Sequence, residues 1–291
     1  MKNIGLITLC LLAPLSAMLP TTTAAADVRI SADVVYGHKH GLAMTFDVFR
    51  PTEDANGAGV LFMVSGGWYS NWSPPEQTQV FFRPLTDKGY TVFAVRHGSS
   101  PKFSIPEAVS DVRRSVRFIR LNADRFQIDP DRLGVYGMSA GGHLSLMLGT
   151  ASDEGSSDSK DPVERVSDRV AAVVAFVAPT DLRIMVTGAE DRLPAYKNFP
   201  ALELDMPAAE LHSPLVHVTS DDAPTLLLAG DADKLVPVEH SRNIQTAFEK
   251  KGVKSRLVEF KGAGHGLGGE DMAKAVTEML SWFETHLAKP K

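Results

Sequence analysis

The chain has 291 residues, 44% of them hydrophobic and 22% charged, with a formal charge of −5. That length and composition support a core without disulfide or metal staples. A modest acidic balance without a lysine or arginine run excludes a nucleic-acid surface and a polybasic membrane patch.

At the N-terminus, Lys2 precedes an apolar run from Ile4 to Ala13, then Pro14, and small residues ending in Ala24-Ala25-Ala26. This pattern predicts a secretory signal peptide over residues 1–26, cleaved after Ala26. The apolar run is too short to span a bilayer, so a secreted or periplasmic protein without a membrane anchor after cleavage is expected. The single cysteine, Cys10, lies inside the leader. The mature chain would then have no disulfide, no thiolate metal site and no cysteine nucleophile.

Val28 to Tyr36 and Leu42 to Phe49 read as an opening strand pair around a turn at Gly37 to Gly41. Val60 to Val64 and Thr91 to Val95 are short apolar runs, the signature of strands buried on both faces. Between them Gln77 to Lys88 reads as a helix stopped by Gly89. Pro106 opens a helix to about Asn122, with Val109, Val112, Val116 and Ile119 on one stripe. Leu133 to Tyr136 is a strand and Ala140 to Leu148 a helix. Val170 to Val177, Thr225 to Ala229 and Ser255 to Phe260 are further strands. Val238 to Lys251 and Asp271 to Leu287 are the last helices. The alternation predicts an α/β fold, with a mostly parallel central sheet covered by helices on both faces. Two stretches are irregular, residues 152–168 and 182–222. The second is expected to form a small lid within one domain, 27–291.

Gly137-Met138-Ser139-Ala140-Gly141 stands between a strand and a helix. A sharp turn there strains the serine and leaves no room for side chains two positions away, so both glycines have a steric reason. The turn also aims the next helix's first N–H groups at a reacting oxygen. Ser139 is therefore the candidate nucleophile. In such a fold the acid and the histidine follow in that order, each at a strand end. His265, in the loop Gly262-Ala263-Gly264-His265-Gly266 after the last strand, is the candidate base. His143 is expected behind the elbow, His240 in a helix start and His286 at a helix end. Asp233, in Gly230-Asp231-Ala232-Asp233, is the candidate acid that orients His265. Asp231 is expected to bond the local backbone. The backbone N–H groups of Gly66, Gly67 and Ala140 are candidate oxyanion donors. Trp68, Tyr69 and Trp72 follow as candidate pocket residues, with packing under the lid as the alternative.

The sequence resembles α/β-hydrolases of the hormone-sensitive-lipase-like and feruloyl- or acetyl-xylan-esterase-like type. The likeness is carried by Asn122-Ala123, Ile128 to Leu133, Gly137 to His143, Gly230 to Asp233 with Val236-Pro237, and Gly264-His265-Gly266. It implies an α/β-hydrolase fold and the triad Ser139, Asp233 and His265. One departure is visible. Family members commonly carry a His-Gly-Gly-Gly-Trp-like oxyanion loop, where this chain has Val64-Ser65-Gly66-Gly67-Trp68.

These parts predict hydrolysis of carboxylic esters through an acyl-enzyme on Ser139. A short-chain ester is the expected substrate, with acetyl or feruloyl groups on polysaccharide as the extension by analogy. No cofactor and no metal site are expected. The competing readings are a prolyl-oligopeptidase-like serine peptidase and a non-catalytic binding protein on a hydrolase fold. A dehalogenase would need aspartate in place of Ser139.

Overall fold

A computed structural model describes residues 27–190 and 192–289. The leader-like segment and Cys10 lie outside the described residues. Eight strands form one sheet in the order β1-β2-β4-β3-β5-β6-β7-β8. They are β1 (Val28–Lys39), β2 (Leu42–Pro51), β3 (Gly59–Met63), β4 (Thr91–Val95), β5 (Leu133–Met138), β6 (Ala172–Phe176), β7 (Thr225–Gly230) and β8 (Ser255–Phe260). β2 runs antiparallel to both β1 and β4, and β3 to β8 with β4 are parallel.

The helices are α1 (Pro75–Thr86), α2 (Ile105–Leu121), α3 (Ala123–Phe126), α4 (Ala140–Thr150), α5 (Met206–Leu211), α6 (Glu239–Lys251) and α7 (Gly269–His286). Alternate residues of each parallel strand face opposite cores, because side chains alternate across a pleat. On β7, Leu227 packs with α2, α4 and α6 residues, among them Val116, Leu144 and Phe248. Its neighbours Leu226 and Leu228 pack with α1 and α7, through Phe82, Leu85, Met279 and Phe283. The apolar runs in the sequence are continuous because neither face of the central strands meets water.

α2 shows why the sequence folds locally as it does. Ser104 and Glu107 form a reciprocal capping box, and a proline lies in the first turn, satisfying orphan N–H groups and presetting φ. The stripe Val109, Val112, Val116 and Ile119 is buried. Full burial of such a side chain contributes about 1.5–3 kcal/mol.

The hairpin differs from expectation. β1 and β2 run on to Lys39 and Leu42, which pair, leaving a two-residue turn at His40-Gly41. Both residues have positive φ, 49° and 78°, the backbone that matches the twist of a tight hairpin. The strand expected over 170–177 is shorter, at Ala172–Phe176.

The irregular stretches are ordered by side chains. Residues 152–168 are tied to α2 by Arg113, Arg114 and Arg117, which meet Asp153, Asp161, Glu164 and the fully buried Asp168. Residues 182–222 hold α5 and the 3₁₀ turns Pro194–Asn198, Pro200–Leu202 and Pro214–His217. Leu182 N–H donates to Ser213 Oγ at 2.8 Å, fastening the start of this stretch to the residue before its last 3₁₀ turn.

Candidate active site

Ser139 sits between β5 and α4 with φ 54° and ψ −120°, a strained backbone for a residue with a side chain. A Cβ on Gly137 would stand 2.4 Å from the Gly141 backbone, and one on Gly141 would stand 2.6 Å from the Met63 carbonyl. Both glycines of the motif are thus steric requirements of the turn. Gly141 N–H donates to Ser65 O at 3.2 Å, joining the elbow to the loop after β3.

The loops after β7 and β8 deliver the other two residues. His265 Nε2 lies 3.0 Å from Ser139 Oγ, and His265 Nδ1 lies 2.7 Å from Asp233 Oδ2. The other carboxylate oxygen of Asp233 accepts the N–H groups of Leu235 at 2.8 Å and Val236 at 2.9 Å. Burial by itself would raise this carboxyl. The bonds from His265 and the two backbone N–H groups outweigh it and hold Asp233 below the ordinary carboxylate range. An acceptor-only carboxylate requires the imidazole proton on Nδ1, which leaves Nε2 free to take the serine proton. Asp231 does not bond its own turn. Its Oδ1 accepts Gly262 N–H at 2.5 Å, stitching the acid loop to the turn that carries His265.

The loop after β3 corrects one expected donor. Gly66 N–H donates to Tyr69 O at 3.0 Å, and Tyr69 N–H returns a bond to Gly66 O at 3.0 Å. An N–H committed to that turn is not presented to an oxyanion, so Gly66 leaves the donor set. Gly67 N–H and Ala140 N–H have no protein acceptor among the described residues. Gly67 borders Ser139, and Ala140 opens α4, whose N-terminal N–H groups favour negative charge.

The aromatic residues divide. Trp68 is 3% exposed and borders the serine, but its ring stands edge-on to His143 and donates Nε1–H to His143 Nδ1 at 3.2 Å. Tyr69 is half-buried and Trp72 exposed, and neither borders the recess at Ser139. That recess is about 20 Å³ and is walled instead by Met185, Tyr196, Phe199, Leu202, Leu235 and Val236. Sequence reasoning missed these walls. The signal was present as Tyr196, Phe199 and Leu202, three residues apart, the spacing that stacks side chains along 3₁₀ turns.

A larger cavity of about 330 Å³ lies between α1, α7 and the sheet. Its walls include Met138 but neither Ser139 nor His265, so the triad chemistry does not face it.

Two buried histidines, His143 and His240, serve structure. An indole only donates, so His143 Nδ1 must accept and its proton lies on Nε2, which donates to His212 O at 2.7 Å. Burial lowers the His143 pKa to about 4. His240 is buried in α6 and its Nδ1 accepts Thr180 N–H at 3.1 Å.

The BD-FAE family model matches residues 46–248. The probable carboxylic ester hydrolase LipM of Mycobacterium tuberculosis is 28% identical over 222 residues, which is 74% of this chain and 51% of LipM. The chain thus spans about half the length of that relative. A truncated carbohydrate esterase from gut microbiota superposes with a TM-score of 0.76 at 25% identity, over 90% of this chain and 97% of that one. An acetyl ester-xyloside bifunctional hydrolase from Caldicellulosiruptor lactoaceticus superposes with a TM-score of 0.75 at 25% identity, over 87% and 96%. The fold is that of the α/β-hydrolase esterases.

Proposed function

Because the chain belongs to the BD-FAE family, we propose that it is a serine carboxylesterase that removes short acyl groups, acetyl foremost, from saccharide esters. The observation that carries this reading is the Ser139–His265–Asp233 relay opening on a recess of only about 20 Å³. The walled space beside Ser139 is small, which favours short acyl groups. The saccharide part rests on the two structural neighbours named for carbohydrate and acetyl ester substrates.

Ser139 Oγ attacks the ester carbonyl while His265 Nε2 accepts its proton. Asp233 holds the resulting imidazolium by charge and by orientation. The oxyanion meets Ala140 N–H and Gly67 N–H. Proton return from His265 releases the alcohol, and water activated by the same imidazole frees the acid from the acyl-enzyme. Export belongs to the same proposal and rests on the leader-like pattern of residues 1–26. N-terminal sequencing of the exported protein is expected to begin at Asp27.

The deciding experiment compares 4-nitrophenyl acetate, butyrate and octanoate with acetylated xylan oligosaccharides, using the wild type and Ser139→Ala. Acetyl esters are expected to be turned over fastest, and the variant to lose at least about 10⁴-fold in kcat. Wild-type rates in Ser139→Ala, or octanoate preferred over acetate, would overturn the reading.

A further inference from the structure

The oxyanion loop is built on two adjacent glycines, and glycine leaves a backbone free to wander. An oxyanion donor is useful only when it is held in place before the reaction. What holds this loop is the segment just after β4. Ser100 N–H donates to Trp68 O at 3.0 Å, and Ser70 N–H donates to Ser99 Oγ at 3.0 Å. His97 N–H donates to Ser70 Oγ at 3.2 Å, and the same hydroxyl donates to Val64 O at 2.6 Å. The fourth fastening is a side-chain pair, His97 Nε2 and Ser65 Oγ, 2.9 Å apart.

The proton positions in that pair follow from the neighbours. His97 Nδ1 lies 2.8 Å from Gly98 O, and a carbonyl only accepts, so the proton is on Nδ1. Nε2 is therefore the acceptor, and Ser65 Oγ–H donates to it. Burial keeps the His97 pKa low, which agrees with a neutral ring. Gly98 N–H in turn donates to Asp111 Oδ2 at 2.8 Å, and the same oxygen receives Lys39 Nζ at 2.6 Å. The chain of bonds runs from the partly buried Lys39–Asp111 ion pair, through His97, to the residue that precedes Gly66-Gly67. Ser65 also accepts Gly141 N–H through its carbonyl, so its placement sets the distance between the loop and the elbow.

We infer that His97 is a positioning residue for the oxyanion hole, acting through the Ser65 hydroxyl to hold Gly67 N–H against Ser139. The inference rests on the esterase reading above. His97 borders neither Ser139 nor the recess, so its removal leaves substrate contacts intact and loosens only the donor that the transition state uses.

The test is a set of four variants, His97→Ala, Ser65→Ala, the double variant and His97→Gln, assayed on 4-nitrophenyl acetate. Phenylboronic acid, which forms a tetrahedral adduct on serine, serves as the transition-state probe. His97→Ala and Ser65→Ala are each expected to lose about tenfold or more in kcat, with KM within about twofold of wild type. Boronate affinity is expected to fall in parallel. The double variant should be no worse than either single variant, because both remove one interaction. His97→Gln, whose amide reaches the Ser65 hydroxyl, should recover most of the loss. If His97→Ala fails to fold, Ser65→Ala carries the test, since it deletes one hydroxyl. Wild-type kcat in Ser65→Ala, losses that multiply in the double variant, or an effect confined to KM would overturn the inference. A wild type that neither hydrolyses the ester nor binds the boronate would overturn the esterase reading, and this inference with it.

Discussion

Residues 152–168 and residues 182–222 both interrupt the alternation of strands and helices, and they are fastened by different forces. The first stretch is held by charge. Asp168 is fully buried against Arg113 at 2.6 Å and Arg117 at 3.4 Å, and Glu164 and Asp153 complete the set. The second is held by apolar packing, with Leu182, Tyr196, Leu202 and Ala209 almost wholly buried. Only the second reaches Ser139. Ion pairs are directional and stiffen a loop in one place, whereas apolar contacts can be reshaped one side chain at a time. The structure therefore puts rigidity in one stretch and the shape of the recess in the other.

The strongest test of that division is Asp168→Ala, which removes the buried acceptor shared by Arg113, Arg117 and the Asp153 N–H. It is expected to cost about 3–5 kcal/mol in chemical denaturation, with kcat/KM of the folded protein unchanged. A loss of activity without a loss of stability would show that the charged stretch reaches the site after all.

A smaller effect is expected where the second stretch is tied down at His143. Its ordinary value of 6.5 falls to about 4 in the folded chain. The unfolded chain therefore takes up the proton first as pH falls. Stabilisation from the neutral ring is complete above pH 6.5 and is lost on the way down to pH 4, by up to about 3 kcal/mol. Melting temperature should fall through that window in the wild type, and less steeply in His143→Gln. Equal slopes in the two proteins would remove His143 from the account.

Phe199→Ala tests the recess itself. A Cβ on Gly67 would stand 2.7 Å from the Phe199 ring, so this ring limits the space beside Ser139. Its truncation is expected to raise kcat/KM for the butyryl ester relative to the acetyl ester by about tenfold. An unchanged ratio would assign chain-length control elsewhere. The smallest effect is expected at Arg169, which joins the two stretches through Glu154 and Asp221 on the surface. Arg169→Ala should leave the melting temperature unchanged, because exposed ion pairs contribute little.

The hydrogen-bonded arrangement of Ser139, His265 and Asp233 was legible because each stands at a strand end within a few residues that share its loop. The glycines around Ser139 announce the elbow by steric need alone, and Asp233 and His265 follow β7 and β8 in order. The oxyanion loop was legible as a loop but not as a set of donors. Whether Gly66 N–H is free depends on a turn that closes on Tyr69, and two glycines permit many turns. For Trp68 the sequence leaves binding and packing both open, and the bond from its indole N–H to His143, distant in sequence, appears only in the fold.

By itself the sequence determined the α/β alternation, the parallel sheet and the strand ends that carry Ser139, Asp233 and His265. Hydrophobic period and backbone sterics act over a few residues, so they are written locally. Only the tertiary structure decided which backbone N–H groups remain free, which side chains wall the recess, and which histidines are structural. Each of those depends on partners brought together from distant segments, as His97 meets Ser65 and His143 meets Trp68 and His212. Hydrogen bonds and contacts across such separations leave no periodic mark in a chain, because the fold, and not the spacing, sets their distance.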